Sequence, residues 1–324
     1  MSGILEIKEL SVTYHTEDGL VYALNDINLE LGEGETLGLV GETGAGKTTL
    51  AKSVMRLLPT PPAKIEHGEI LYLGQDLTKI SEEDIRAVRG NKISMIFQDP
   101  MSALNPVLTV GKQIQEVILA HQRVSENEAW EKSLEMLETV GITKNRAYDY
   151  PHQFSGGMKQ RVVVAIALAC NPKILLADEP TTALDVTIQA QVIALMKGLK
   201  EKFNTATVLI THDLGIVAQM CEKVAIIYAG EIVESGDVHD IFKRTSHPYT
   251  KGLLEAIPSI HTDTKRLKPI NGLMPDPMIK HEGCAFAERC KYCDDICMHT
   301  HPAIQSVGDG HKVRCLKPLC KALS

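Results

Sequence analysis

The sequence lacks long hydrophobic runs, internal repeats and low-complexity tracts. Its longest apolar run, residues 162–170, is too short to cross a bilayer, which takes about 20 apolar residues in a helix. Residues 1–6 contain no positively charged segment followed by an apolar core, so a secretory signal peptide is not expected. We therefore expect a cytosolic chain, for which any membrane role depends on partner proteins.

The chain also lacks an excess of basic residues. Lys and Arg number 34 and Asp and Glu number 41, which gives a net charge of −7. Nucleic-acid-binding domains are usually basic, so this balance disfavours a general nucleic-acid binder. The 324 residues, 44% hydrophobic and 23% charged, have the composition of an ordinary soluble protein. They suffice for one large domain or for two of average size.

A glycine-rich stretch, residues 41–49, reads G-E-T-G-A-G-K-T-T and matches the pattern G-x-x-x-x-G-K-[ST] without a mismatch. The apolar residues 36–40 before it predict a buried strand, and the apolar spacing after it predicts a helix. Glycines let backbone N–H groups approach phosphate oxygens, and a helix N-terminus adds partial positive charge. We predict that Lys47 reaches the outer phosphates and that Thr48 holds Mg²⁺. The expected phosphate site consists of Gly41, Glu42, Thr43, Gly44, Ala45, Gly46, Lys47, Thr48 and Thr49.

Two acidic residues follow residues 174–177, an aliphatic run that predicts a buried strand. A strand that ends in Asp at the carboxyl edge of a sheet places a carboxylate beside the metal ion of a phosphate site. Asp178 is therefore the expected acid on the metal side. Glu179 comes one residue later and faces differently, so it is placed to orient or deprotonate the attacking water.

A second glycine site consists of Ser155, Gly156 and Gly157, at the start of another predicted helix. Its N–H groups and the helix dipole also favour an anion. Glycine pairs often cap helices, so the signal is weak alone and gains its meaning from the other motifs.

Strands that alternate with helices predict an α/β fold, in which helices cover both faces of a mostly parallel sheet. Residues 4–10 and 21–31 alternate apolar and polar side chains and predict antiparallel strands. A more polar helical pattern predicts a helical subdomain at about residues 100–165. Prolines and cysteines become frequent after residue 254. We therefore expect a large domain over residues 1–259, to which the family resemblance described next assigns ATP binding, and a Cys-rich extension over residues 260–324.

Six motifs occur in the order typical of one family: the phosphate loop, Gln98, the Ser155 segment, the acid pair, residues 183–185, and His212. With them the chain resembles the ATP-binding cassette (ABC) ATPases over roughly residues 4–241. The resemblance implies a P-loop NTPase cassette with a mixed sheet, an antiparallel β subdomain and a helical subdomain. It also implies that two ATPase subunits close head to tail over two ATP molecules. Each ATP is then held between the phosphate loop of one subunit and the Ser155 segment of the other.

The same resemblance implies roles for residues with no strong pattern of their own. Tyr14 matches the aromatic residue that stacks on adenine, with an ordinary strand tyrosine as the alternative. Gln98 matches the residue that contacts Mg²⁺ and the attacking water and reports nucleotide occupancy to a membrane partner. His212 matches the residue that contacts the γ-phosphate. The implied activity is MgATP hydrolysis, with Glu179, His212 and Gln98 as its catalytic residues.

Finer details resemble the ATP-binding subunits of bacterial dipeptide and oligopeptide importers. Phe154 and Met158 stand where Leu and Gln are usual, and residues 97–106, 183–187 and 247–250 match this branch. The resemblance implies a second ATPase, identical or homologous, and two permeases above the pair at the cytoplasmic face of the membrane. It also implies an extracellular peptide-binding protein and no nucleic acid. Nickel importers share much of the pattern. The rival hypotheses are a soluble ABC ATPase not tied to transport and a non-enzymatic regulatory or redox module, against which Glu179 and His212 argue.

Six of the eight cysteines lie near the C-terminus: Cys284, Cys290, Cys293, Cys297, Cys315 and Cys320. In a cytosolic chain such thiols suit Zn²⁺ or an iron–sulfur cluster better than disulfides. The extension resembles that of the peptide importers, some of which hold a [4Fe–4S] cluster, and the matching ligands are Cys284, Cys290, Cys297 and Cys315. Cys293 leaves the ligand choice open, because C-x-x-C also suits zinc. We expect a structural cluster, with zinc or unliganded thiols as alternatives.

Overall fold

The computed structural model describes residues 3–182, 184–256 and 269–320. The boundary predicted near residue 260 and Ala183 of the family motif lie outside these ranges. The chain forms two compact units. The first comprises residues 1–30, 37–78 and 211–324, and the second comprises residues 31–36 and 79–210.

The strands and helices of the described residues follow each other in mixed order along the chain. The strands are β1 (Leu5–Thr16), β2 (Gly19–Leu31), β3 (Thr36–Val40), β4 (Ala63–Tyr72), β5 (Gln75–Asp76), β6 (Ile93–Ile96), β7 (Ile174–Asp178), β8 (Ala206–Thr211), β9 (Lys223–Tyr228), β10 (Glu231–Asp237), β11 (Ile304–Ser306) and β12 (Lys312–Arg314). The helices are α1 (Lys47–Val54), α2 (Glu82–Val88), α3 (Pro100–Ala103), α4 (Val110–His121), α5 (Glu126–Thr139), α6 (Gly156–Leu168), α7 (Val186–Phe203), α8 (Leu214–Met220), α9 (Val238–Lys243), α10 (Pro248–Glu255) and α11 (Asp295–His299).

The first unit contains an antiparallel sheet in the order β2-β1-β4-β5. Its strands carry alternating side chains, and Leu5 and Ile7 of β1 are buried opposite Tyr72 and Ile70 of β4. This alternation is what a sheet with one covered face requires. The antiparallel strands predicted from the sequence are therefore present. β1 runs further than expected and includes Tyr14.

A second group of strands in the first unit has the order β11-β12-β10-β9-β3. β3 and β9 are parallel, whereas β10 is antiparallel to β9 and β12 is antiparallel to β10. All five residues of β3 are buried, as a strand covered on both faces requires. The C-terminal extension thus contributes two strands, β11 and β12, to this group. The loop after β3 leads directly into α1 and contains the residues predicted to bind phosphate.

The second unit contains three parallel strands in the order β8-β7-β6. Between β6 and β7 the chain is helical, with α3, α4, α5 and α6 and two short 3₁₀ helices. These helices correspond to the helical subdomain expected at about residues 100–165. Ser125 caps α5, and its side chain accepts a hydrogen bond from the backbone N–H of Glu128. Such caps explain where the polar helices begin.

The aliphatic and aromatic core of the first unit reaches into the C-terminal extension. Tyr228 of β9, Tyr249 of α10 and Phe286 pack together, with ring centroids 4.6 to 5.4 Å apart. Val40, at the end of β3, belongs to the same buried cluster. The residue before the phosphate loop and the cysteine-rich segment are therefore parts of one core.

No helix within the described residues is both long enough and apolar enough to cross a membrane.

Candidate functional site

The phosphate loop turns sharply between β3 and α1, and two of its glycines are required by their surroundings. A Cβ on Gly41 would lie 2.2 Å from the carbonyl oxygen of Ile227. Gly46, the N-cap of α1, has φ 105°, in the left-handed region that side chains disfavour. Because these positions exclude a Cβ, the backbone can pass close to β9 and still enter the helix.

The N-terminus of α1 is arranged to receive an anion. Its first turn contains no acidic residue, so the partial positive charge of its N–H groups is not neutralised from within the turn. Lys47, the first helical residue, is buried, and its ammonium donates to the carbonyl oxygens of Gly41 and Glu42 at 2.8 and 2.9 Å. The loop therefore holds the lysine against its own backbone, at the place where the motif requires a cation.

The other loop residues lie around this turn. Thr43 and Gly44 are exposed, Ala45 is buried, and Thr48 and Thr49 are partly buried. The hydroxyl groups of Tyr14 and Thr49 lie 3.4 Å apart. The half-buried tyrosine that was matched to adenine stacking is thus a neighbour of the first turn of α1.

In the second unit, the acid pair stands at the carboxyl end of β7. Asp178 is the last residue of the strand and is only 2% exposed. Glu179 follows with φ 47°, a left-handed conformation that non-glycine residues adopt rarely and often at functional sites. Its N–H donates to the carbonyl oxygen of Ile210 in β8 at 2.9 Å, which fixes this backbone. The left-handed backbone at Glu179 thus ends the extended conformation directly after Asp178.

Two side chains hold the carboxylate of Glu179. Its Oε2 accepts hydrogen bonds from Gln98 Nε2 at 3.0 Å and from Thr182 Oγ1 at 2.8 Å. Gln98 is exposed just after β6, as expected for a residue that contacts ligands. The structure thus brings together Gln98 and Glu179, which lie 81 positions apart. Thr182 belongs to no motif that predicted this contact.

The Ser155 segment begins α6. The Ser155 side chain accepts a hydrogen bond from the N–H of Met158, while Ser155 and Gly156 are exposed and Gly157 is buried. The helix thus begins at the surface with Ser155 and Gly156, and a helix N-terminus favours an anion.

His212 is exposed between β8 and α8. The next residue, Asp213, caps α8 by accepting hydrogen bonds from the N–H groups of Gly215 and Ile216 at 2.7 and 3.3 Å. The cap fixes the backbone beside His212 and leaves the imidazole outside the helix.

Four cysteines line one cavity in the C-terminal extension: Cys284, Cys290, Cys297 and Cys315. They are the four that the importer resemblance predicted as ligands. The cavity is partly open to solvent, and its other lining residues include His247 and Phe286. Cys293 is not among the lining residues; its thiol contacts the carbonyl oxygen of Asp294.

Burial raises the pKa of the Cys284 thiol to about 12, and the other cavity cysteines contribute to this increase. The pKa values of Cys290 and Cys315 are also raised, mainly by burial. Such thiols become thiolates readily only when a cation is bound. Within the described residues, no three His, Cys, Asp or Glu side chains converge closely enough to hold one metal ion.

Comparisons with known proteins show the family of the chain. The family model described as "ABC transporter" matches residues 24–182. A second model, "Oligopeptide/dipeptide transporter, C-terminal region", matches residues 233–297. The first match covers the phosphate loop and the acid pair, and the second covers three of the four cavity cysteines.

Relatives match along nearly the whole chain. The oligopeptide transport ATP-binding protein OppD of Bacillus subtilis is 48% identical over 96% of this chain and 88% of its own length. The dipeptide transport ATP-binding protein DppD of the same organism is 47% identical over 97% of this chain and 95% of its own. Both identities are far above what chance similarity produces over such lengths.

Among solved structures, the dimeric post-hydrolysis state of the ATP-binding cassette MJ0796 bound to ADP and Pi matches with a TM-score of 0.65 and 30% identity. It covers 72% of this chain and 98% of that one. The structure of cbiO1 from Clostridium perfringens, part of an ABC transporter complex, has a TM-score of 0.64 and 26% identity over 76% of this chain and 93% of its own. The fold is that of an ABC cassette. With the relatives above, the chain belongs to the oligopeptide and dipeptide transport ATP-binding proteins of the ABC family.

Proposed function

We propose that this chain is the ATPase subunit of an ABC importer and that its hydrolysis of MgATP energises the uptake of dipeptides or oligopeptides through a membrane permease. The observation that carries the proposal is the succession of two family matches, first the transporter cassette and then the oligopeptide and dipeptide C-terminal region. The names of the relatives, which describe oligopeptide or dipeptide transport, support the same substrate class.

In the first unit, we assign nucleotide binding to the phosphate loop and its neighbours. Lys47, now bonded to two loop carbonyls, can donate instead to phosphate oxygens, and the Thr48 hydroxyl holds Mg²⁺. Tyr14, beside Thr49, stacks on the adenine ring. His212 contacts the γ-phosphate through its exposed imidazole.

In the second unit, we assign chemistry to the end of β7. Asp178 is the acid on the metal side, and Glu179 accepts the proton of the attacking water. Gln98 and Thr182 orient the Glu179 carboxylate through their two hydrogen bonds. Ser155, Gly156 and Gly157 present N–H groups to the ATP held by a second ATPase subunit.

The proposed partners are supported by the family matches. In this proposal, head-to-tail pairing with a second ABC ATPase, identical or homologous, completes each nucleotide site, and two permeases receive the conformational change. The chain then acts at the cytoplasmic face of the membrane, and a peptide-binding protein outside supplies the substrate.

For the extension, we propose a [4Fe–4S] cluster held by Cys284, Cys290, Cys297 and Cys315. The support is the donor set: four thiols line one cavity, and they are the four that match the importer extension. The cluster supplies a covalent link between segments of a small, loop-rich region. Its role is structural, since none of the proposed catalytic residues lies in the extension.

Reconstitution tests the transport function. The chain is assembled with its permeases and second ATPase in liposomes, and uptake of a labelled dipeptide is measured with MgATP inside and the binding protein outside. We expect uptake that requires ATP and is lost in Glu179→Gln. Uptake of nickel without peptide, or ATP hydrolysis that responds to nucleic acid instead of the permeases, would contradict the proposal.

Elemental analysis tests the cluster. Protein purified without oxygen is assayed for iron, sulfide and zinc, in the wild type, Cys297→Ser and Cys293→Ser. We expect iron and sulfide in equal amounts in the wild type. Both should be lost in Cys297→Ser and kept in Cys293→Ser, because Cys297 lines the cavity and Cys293 does not. Zinc without iron in every sample would refute the cluster.

A further inference from the structure

The side chain of Arg289, next to the cavity residue Cys290, reaches the phosphate loop. Its Nη1 donates to Glu42 Oε2 at 3.0 Å and its Nη2 donates to Glu42 Oε1 at 3.2 Å, so the two side chains form a paired, fork-like ion pair. The arginine side chain is only 6% exposed. Its Nε also donates to the carbonyl oxygen of Asn271 at 3.0 Å, which fixes the guanidinium plane. Such bidentate pairs specify geometry more strongly than single ion pairs do.

Glu42 in turn is tied to the residues that surround the phosphate site. Its backbone N–H donates to the hydroxyl of Tyr249 at 3.0 Å, and its carbonyl oxygen accepts from Lys47 Nζ at 2.9 Å. The lysine that we assign to the outer phosphates is therefore bonded to the residue that Arg289 holds. A shift of Arg289 displaces this part of the loop, because Glu42 has contacts on its side chain and on both backbone groups.

An aromatic layer connects the same contact to the cysteine cavity. The guanidinium carbon of Arg289 lies 5.7 Å from the ring centre of Tyr228 and 5.9 Å from that of Phe286. Phe286 packs on Tyr249 and also lines the cavity. A change in the packing of the cavity wall therefore reaches Arg289 through Phe286 and through the neighbouring Cys290.

We propose that Arg289 is a positioning residue that couples the cysteine cavity to the phosphate loop, so that an ordered cavity favours MgATP binding and bound MgATP stabilises the cavity. This inference rests on the proposed MgATP site and adds a control of that site by the C-terminal extension. Coupling between two sites is reciprocal and typically amounts to a factor of about 5 to 150 in affinity.

The test compares two arginines that each precede a cavity cysteine. Arg289→Lys keeps the positive charge but cannot form the bidentate ion pair with Glu42. Arg314→Lys is the matched control: Arg314 is also buried and precedes Cys315, but it pairs with Asp26 and Glu231 and does not contact the loop. We expect Arg289→Lys to raise the KM for MgATP roughly 5- to 50-fold with kcat changed less than about twofold. Arg314→Lys should leave both constants near the wild-type values.

Two further measurements separate coupling from simple damage to the fold. A double-mutant cycle should combine Arg289→Lys with Glu42→Gln. Their effects on the KM for MgATP should not be additive, because both substitutions remove the same contact. Hydrogen–deuterium exchange of the wild type should slow at residues 41–49 and also at residues 284–297 when MgATP is added. The second effect should disappear in Arg289→Lys and persist in Arg314→Lys.

The outcomes distinguish the two proposals. Protection of residues 41–49 without any change at residues 284–297 would overturn the coupling and leave the nucleotide site intact. No protection at either segment would overturn the proposed MgATP site and the coupling with it. Additive effects in the cycle, or equal changes in both arginine variants, would also contradict a specific role for Arg289.

Discussion

Replacement of Gly41 by alanine tests whether the phosphate loop depends on a close approach to β9. The new Cβ would lie 2.2 Å from the carbonyl oxygen of Ile227 and 3.0 Å from its Cγ2 atom. Ile227 is held within β9, where it pairs with Ile232 of β10. Strand β9 therefore cannot move without breaking its hydrogen bonds to β10, so the phosphate loop must move away from the strand.

The size of the effect follows from the overlap. Overpacking a well-packed interior costs typically 1–3 kcal/mol, and the obstacle here is backbone instead of a flexible side chain. We expect a loss of about 2–3 kcal/mol, which, if it falls on the loop alone, weakens MgATP binding roughly 30- to 150-fold.

The assay measures the MgATP dissociation constant by titration and the free energy of unfolding by urea denaturation. Gly198→Ala is the control: Gly198 lies within α7, a Cβ there meets no atom within 4 Å, and alanine in a helix is favoured by roughly 0.5–1 kcal/mol. We expect Gly198→Ala to raise the free energy of unfolding, whereas Gly41→Ala should lower it or weaken MgATP binding. Wild-type affinity and stability in Gly41→Ala would refute the reasoning.

Three further predictions concern single side chains. Glu179→Gln should lower kcat by about 10²–10⁴ while KM stays within about twofold, because the amide keeps an acceptor for Thr182 but cannot take the proton of water; a steady-state ATPase assay at the wild-type rate would contradict this. Tyr14→Ala should raise the KM for ATP roughly 2- to 10-fold through loss of stacking, whereas Tyr14→Phe should stay near the wild type; equal defects in both would favour a role for the hydroxyl group that contacts Thr49. A hydrogen bond from Arg244 lowers the pKa of the Asp240 carboxyl below its ordinary value of 3.8, so Asp240→Asn should cost about 0.5 kcal/mol at neutral pH. A carboxyl whose pKa is lowered on folding stabilises the fold at pH values above its unfolded-state pKa. The difference in the free energy of unfolding between variant and wild type, measured by urea denaturation, should therefore shrink as the pH falls below about 4. A difference that grows there would contradict the lowered pKa of Asp240.

The sequence predicted best those features that depend on neighbours along the chain. The glycine-rich loop has the strand before it and the helix after it that the motif indicated. The strand before Asp178 is buried throughout because it consists of aliphatic residues. These features are local, so a single sequence is enough to find them.

Contacts between distant parts of the chain could not be predicted in this way. Arg289 and Glu42 are 247 positions apart, and neither belongs to a pattern that links them. The hydrogen bond from Thr182 to Glu179 forms beside the left-handed backbone at Glu179. Glutamate at this position does not by itself predict such a conformation. The short strands β11 and β12 were missed because three-residue segments carry too little periodicity. The separation of Cys293 from the cavity likewise required the fold.

The central claim is that MgATP held by the phosphate loop of one subunit is enclosed by Ser155, Gly156 and Gly157 of another. The most direct test is the mass in solution of the Glu179→Gln protein, which binds ATP without consuming it, measured by light scattering with and without MgATP. We predict that MgATP converts the 35.5 kDa chain into a species of twice that mass, alone or with the second ATPase of the importer, and that Ser155→Arg prevents this. A Glu179→Gln protein that binds MgATP but keeps the mass of a single chain, both alone and with the second ATPase, would contradict the account.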